Sequence, residues 1–210
     1  MSETVSISTL DGTGRFDCYL ARPAGKPRAA IVVIQEIFGV NAGIRRKCDR
    51  LAEDGYLALA PDLFWRVEPH VELDPDIEDQ FAKALGLMGQ FDQDEGVSDI
   101  EATIKYARNS EGCSKVGAVG YYAVGIDNLI REKHAIARPL MLHIAGADHF
   151  VTPEVQKAMH AGLNDHPKVT LCDYPGLDHG FATEIGSSRN EEGAELADKR
   201  TAEFFAEHLG

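Results

Sequence analysis

Ala29-Ala30-Ile31-Val32-Val33-Ile34 is the longest unbroken apolar run in the chain, and its last four positions are all β-branched. A strand with one wet face alternates apolar and polar residues. A solid run of this kind describes a strand covered on both faces, as in a parallel sheet flanked by helices. Six residues are also far too few to cross a bilayer, so no membrane span is expected.

The flanking sequence fits that sheet. Upstream, Val5 and Ile7, then Phe16, Cys18 and Leu20, place apolar side chains on one face either side of Asp11-Gly12. This predicts an antiparallel hairpin at a sheet edge. Downstream, Ile44, Cys48, Leu51 and Ala52 fall at helical spacing, with Asn41 as cap and Gly55 at the C-terminal stop. Tyr56 to Ala60 is the next strand, closed by Pro61. Pro75 to Phe91 and Val97 to Ala107 read as helices, the second with Val97, Ile100, Ile104 and Ala107 on one inner stripe. Lys115 to Tyr121, Leu140 to Ala145 and Val169 to Tyr174 read as strands. A helix starts at Thr152-Pro153-Glu154 with Val155, Ala158, Met159 and Gly162 inward. Another closes the chain over Asn190 to Leu209, with Ala197, Thr201, Phe204 and Phe205 inward. Strands alternating with helices imply right-handed crossovers and an α/β domain spanning residues 1–210.

With 34 acidic against 21 basic residues the formal charge is −13, which disfavours a nucleic-acid partner. The compact basic cluster Arg45-Arg46-Lys47 is read as the wet face of a helix. The acidic stretch from Glu68 to Glu78 is read as a solvated loop and helix start. Cys18, Cys48, Cys113 and Cys172 are scattered without metal-ligand spacing. Free thiols in a reducing compartment follow, and no metal or cofactor site is expected. The opening Met-Ser-Glu-Thr-Val-Ser-Ile-Ser lacks a basic start and apolar stretch, so a cytoplasmic protein is expected.

Ligands of such sheets bind beyond the carboxyl ends of the strands. Three ends carry reactive groups: Gln35-Glu36-Ile37-Phe38-Gly39, Gly146-Ala147-Asp148-His149-Phe150, and Pro175-Gly176-Leu177-Asp178-His179-Gly180-Phe181. A carboxylate after a buried strand is costly unless paired, so Glu36 either accepts hydrogen bonds from loop amides or has a chemical task. An acid after one late strand and a histidine after the next is the second half of the nucleophile, Asp, His order of α/β-hydrolases. In that chemistry the histidine moves the proton and the acid holds its tautomer.

Taken with Ala60-Pro61-Asp62-Leu63-Phe64 and Lys115-Val116-Gly117-Ala118-Val119-Gly120-Tyr121, these segments resemble the dienelactone hydrolase family, the carboxymethylenebutenolidases and their relatives, over essentially the whole chain. The resemblance implies a three-layer α/β-hydrolase-type fold: a mostly parallel sheet, helices on both faces and an antiparallel N-terminal edge hairpin. By position it makes Asp148 the triad acid and His179 the triad base. Glu36 becomes the carboxylate that controls the nucleophile, and the Ile37 amide an oxyanion donor.

The chain departs from the family at one place. Members carry a nucleophile, usually cysteine, between Gly-Tyr and a Gly-Gly pair on a tight turn into a helix. Here the sequence runs Gly120-Tyr121-Tyr122-Ala123-Val124-Gly125-Ile126-Asp127, with no G-x-S-x-G or G-x-C-x-G anywhere. Tyr122 stands at the nucleophile position and Ala123 at the second oxyanion amide. A phenol with a pKa of about 10 is ~0.1% ionised at pH 7, a poor replacement. A deletion explains the pattern better than a substitution: relatives end their next strand in a second Gly-Tyr-Tyr type segment, and this chain jumps from the first to the second. The fold is then one helix-strand unit short, about twenty residues at average element lengths. Ile126 to His134 becomes the crossover and Leu140 to Ala145 the new neighbour of Lys115 to Tyr121.

The resemblance therefore implies a monomeric or weakly dimeric hydrolase of small esters or lactones whose activity is weak or lost. The alternative is an inactive or shortened relative that serves as a small-ligand or protein-binding domain. Members specific for dienelactones hold the substrate carboxylate with arginines, and the matching positions here carry Phe81 and Thr183.

Overall fold

The computed structural model describes residues 1–121 and 126–210. They fall into two compact units. The first holds residues 1–121, 184–187 and 209–210; the second holds the described part of 122–183 together with 188–208.

The first unit opens with the expected hairpin, β1 (Ser2–Ser8) against β2 (Arg15–Ala21), paired from Ser2 with Ala21 to Ser8 with Arg15. Gly12 makes the turn with φ +75°. The apolar run becomes β3 (Ala30–Ile34), followed by α1 (Ala42–Glu53) and β4 (Leu57–Pro61). Next come α2 (Glu78–Met88), α3 (Gln93–Asn109) and β5 (Val116–Gly120). The sheet order is β1-β2-β4-β3-β5, with β2 antiparallel to β4 and β3 parallel to both β4 and β5.

Ala30, Ile31, Val32 and Val33 are fully buried, as a strand covered on both faces requires. Each large side chain there contributes about 1.5–3 kcal/mol through burial. Asn41 caps α1 by accepting from the amides of Gly43 and Ile44, both at 3.1 Å.

Three expectations for this unit are corrected. The helix expected from Pro75 begins at Glu78, because the chain first turns through Asp74 and Asp76; Asp74 Oδ1 accepts from the Asp76 amide at 2.9 Å. On α3, Val97 is 64% exposed, and the buried face is Gly96, Asp99, Ala102, Thr103 and Ala107. The rotation follows from Asp99, whose carboxylate accepts from the Trp65 indole at 2.9 Å and pairs with the Arg66 guanidinium. Lys47 is 5% exposed rather than wet, for a reason given below.

The second unit contains a 3₁₀ segment (Ile126–Ala135), β6 (Leu140–Ala145), α4 (Pro153–Leu163), β7 (Val169–Tyr174) and α5 (Glu191–Leu209). Strands β6 and β7 run parallel in a two-stranded sheet, register Leu140 with Val169 through Ala145 with Tyr174. On one side Ile144, Val151 and Met159 pack with Ile126 and Ile130; on the other Ala145, Tyr174 and Phe181 pack with Ala197. Ala158, expected inward on α4, is exposed, and Leu163 is buried in that helix instead.

The described strands thus make an α/β fold in two sheets. Strand β5 pairs with β3 in the first unit, and β6 with β7 in the second. No helix among the described residues is long and apolar enough to cross a membrane.

Candidate active site

In the second unit the parallel register of β6 and β7 brings their C-terminal loops together. The Gly146 amide donates to Tyr174 O and the Ala147 amide to Leu177 O, both at 2.9 Å, so the two loops stay stitched beyond the ladder. Asp148 lies three residues past Ala145, on that first loop. Its Oδ1 accepts from the amides of Phe150 (2.8 Å) and Val151 (3.1 Å), which fixes the carboxylate in one orientation. Oδ2 accepts from His179 Nδ1 at 2.7 Å. The side chains of both partners are buried, 7% exposed for His179 and 9% for Asp148. An aspartate that takes the Nδ1 proton fixes the tautomer in which Nε2 is the basic atom.

A second couple crosses the first. Asp148-His149 and Asp178-His179 are each an Asp-His dipeptide, and each aspartate binds the histidine of the other. Asp178 Oδ1 accepts from His149 Nδ1 at 2.8 Å, from the His149 amide at 3.0 Å and from the His179 amide at 2.7 Å. The His149 ring, first, and then the His179 amide hold the Asp178 carboxyl below the usual carboxylate range. This couple is exposed, 60% at His149 and 55% at Asp178. The His149 and His179 rings stand edge to face with centroids 6.3 Å apart, and the Phe150 ring packs against both. The spacing was legible as two Asp-His dipeptides at the ends of consecutive strands.

His143, in the middle of β6, ties that strand to β7 and α5. Its Nδ1 lies 2.7 Å from the Tyr174 hydroxyl and its Nε2 3.1 Å from Thr201 Oγ1. Burial, reinforced by the Arg200 charge, pushes its pKa down to about 4. The unfolded chain takes up this proton near pH 6.5, so between pH 6.5 and 4 unfolding binds more protons and stability falls as the pH is lowered. His143 should therefore contribute ~2–3 kcal/mol above pH 6.5 that is lost through that window. Denaturant midpoints at pH 4.5 and 7.5 check this, and His143→Gln should show the smaller acid loss. An identical loss in the variant would refute it.

The other residues singled out from sequence lie in the first unit or outside the described residues. Glu36 and Ile37 follow β3. The turn they enter is held by the Gly39 amide, which donates to Glu36 O at 3.3 Å; Gly39 has φ +77°, and a Cβ there would meet Val71 O at 1.9 Å. Loop amides do not satisfy Glu36: among the described residues none donates to its carboxylate. Burial pushes its pKa up to about 8, partly offset by the Lys47 charge. Lys47 reaches this buried side from α1. Its Nζ lies 3.1 Å from Glu184 Oε1, whose side chain is 2% exposed, and 5.3 Å from the centre of the Tyr121 ring. Arg50 joins the same carboxylate at 2.8 Å. A partner so distant in sequence explains why Lys47 was misread as wet. Tyr122 and Ala123 lie outside the described residues.

Phe81 packs on Phe38 at 5.7 Å, and the Thr183 hydroxyl donates to Gly180 O at 2.9 Å. Both positions are thus used in packing. Cys18 and Cys48 are buried, and burial pushes their thiols well up; the Cys113 thiol is raised by the same cause. Among the described residues no group of three or more His, Cys, Asp or Glu side chains is placed to hold a metal ion.

The model of the dienelactone hydrolase family matches residues 16–125 and again 116–209. Residues 116–125 therefore belong to both matches. An inferred carboxymethylenebutenolidase of Azospirillum brasilense is 39% identical over 98% of this chain and 99% of its own length. The carboxymethylenebutenolidase of Pseudomonas putida is 34% identical over 98% of this chain and 97% of its own. Among solved structures, an inferred dienelactone hydrolase from Klebsiella pneumoniae superposes with a TM-score of 0.79 at 23% identity, covering 98% of this chain and 99% of that one. The dienelactone hydrolase-like promiscuous phosphotriesterase P91 from metagenomic libraries gives 0.75 at 18% identity, covering 100% and 99%. These two likenesses concern the fold.

Proposed function

Because the chain belongs to the dienelactone hydrolase family, we propose that it is a weak hydrolase of small esters or lactones that works without the family's nucleophile, by water activated at His179. The observation that carries this reading is the buried 2.7 Å hydrogen bond from His179 Nδ1 to Asp148. It orients one basic nitrogen and stabilises the imidazolium once a proton arrives.

Two features of the comparisons support a lost nucleophile segment. The doubled match of residues 116–125 is what a chain produces when one stretch stands for two strands of the family pattern. The alignment with the Azospirillum protein spans 233 positions, while 98% of this 210-residue chain is about 206 residues, so about 27 positions have no residue here. That is a helix and a strand at average element lengths.

Without an acyl-enzyme, water adds directly to the acyl carbon, and the tetrahedral intermediate then expels the alcohol as its oxygen takes up a proton. His179 takes a proton from water as its oxygen bonds the acyl carbon, and the alcohol departs. In serine proteases the site remaining after loss of a triad member still accelerates reaction about 10³–10⁴-fold over water.

Hydrolysis of p-nitrophenyl acetate by the purified protein, beside His179→Ala, tests the reading. The wild-type rate should exceed the buffer rate by ~10²-fold or more and collapse in the variant. Equal rates in the two proteins would overturn the hydrolase and leave the second reading, a ligand- or protein-binding domain, which the absence of a G-x-S-x-G or G-x-C-x-G segment favours.

A further inference from the structure

From the crossed pairs we infer that His149, held by Asp178, is a second acid–base residue of this site and the proton donor to the leaving oxygen. The inference rests on the proposed water route and adds what that route lacks. His179 has one task in the displacement, to remove the proton from the attacking water. In a triad one histidine does both, taking the nucleophile's proton and passing it to the leaving group as the tetrahedral intermediate collapses. A second group beside the leaving oxygen supplies that proton without His179 having to pass it from one oxygen to the other.

The geometry provides that group. His149 and His179 stand on neighbouring loops with ring centroids 6.3 Å apart, an interval across which two imidazoles reach two oxygens on one acyl carbon. Each ring gives its Nδ1 proton to an aspartate, at 2.7 Å for His179 and 2.8 Å for His149, which makes Nε2 the acid–base atom of both. The environments differ as the two tasks require. The base and its aspartate are buried, whereas His149 and Asp178 are more than half exposed and exchange protons with solvent. Phe150, 4.0 Å from the His149 ring and 4.9 Å from the His179 ring by centroids, is an apolar wall shared by both.

The step balances. Water oxygen bonds the acyl carbon while its proton passes to Nε2 of His179. The carbon–oxygen bond to the leaving group breaks, its electron pair stays on that oxygen, and the oxygen takes the proton from Nε2 of cationic His149. The products are a carboxylic acid and an alcohol. The proton on His179 then leaves to solvent and His149 regains one, restoring the starting state.

A brace and a proton donor predict different substrate dependence. Hydrolysis rates are measured for p-nitrophenyl, phenyl, benzyl and ethyl acetate with the wild type, His149→Gln, Asp178→Asn and His179→Ala. p-Nitrophenolate departs without protonation, and an alkoxide does not. The ratio of ethyl or benzyl to p-nitrophenyl ester hydrolysis should therefore fall about 10²-fold in His149→Gln, with a smaller fall in Asp178→Asn. An unchanged ratio, whether all rates drop together or none does, would overturn the inference and leave the Asp178–His149 pair a loop brace. A wild type whose hydrolysis of every ester matches His179→Ala would instead overturn the proposed function on which it rests.

Discussion

Glu184→Ala should cost the protein about 3–5 kcal/mol, because it removes a carboxylate that matches a buried lysine ammonium. Lys47 and Glu184 have side chains only 6% and 2% exposed, and their charges meet at 3.1 Å. A loss of that size is a large fraction of the 5–15 kcal/mol by which domains of this kind are stable. It should lower the thermal midpoint by ~10 °C or more. The remedy distinguishes a charge effect from a packing effect. Replacing both partners by apolar residues, Lys47→Met with Glu184→Leu, should recover most of the loss, since no charge is then left behind in the interior. A Glu184→Ala protein that melts with the wild type would mean that Arg50 and Tyr121 carry nothing of this arrangement and that Lys47 finds water instead.

The second large effect is a gain. Inserting a Cys-x-Gly-Gly helix and the following strand, about twenty residues, between Tyr121 and Tyr122 should raise esterase activity by about 10³-fold or more. The gain should vanish when the inserted cysteine is changed to alanine. The base is already provided for, since Asp148 orients His179. A folded insertion protein with the parent's activity would refute the deletion reading, and activity that survives the cysteine change would assign the gain to something other than a nucleophile.

Much of this molecule was legible in order and local pattern. The apolar run of β3, the Asn41 cap and the hairpin before them follow from side-chain chemistry that acts over a few residues. The same holds for the Asp148–His179 couple, because two consecutive parallel strands must deliver their C-terminal loops to one place. What failed depended on distant partners. Asp99 takes its partners Trp65 and Arg66 from more than thirty residues away, and its burial turns α3 so that Val97 faces outward. Lys47 fails for the same reason, its carboxylate lying in a segment far along the chain. Leu140 to Ala145 was recognised as a strand, and its partner in the structure is β7. The crossed Asp178–His149 couple was missed because each dipeptide was weighed alone, although its repetition at adjacent strand ends was the signal.

The Lys47–Glu184 pair also has a bearing on how the chain is made. Arg46 and Glu184, which also meet at 3.4 Å, are 138 residues apart. At a synthesis rate of about 5–20 residues per second, on the order of 10 s passes between the emergence of α1 and that of its acidic partner. Strands β1 to β5 are complete well before then and need nothing later for their hydrogen-bonded ladders. During that interval the nascent polypeptide carries Lys47 without its Glu184 carboxylate, so the charge pairing on the inner face of α1 is completed last.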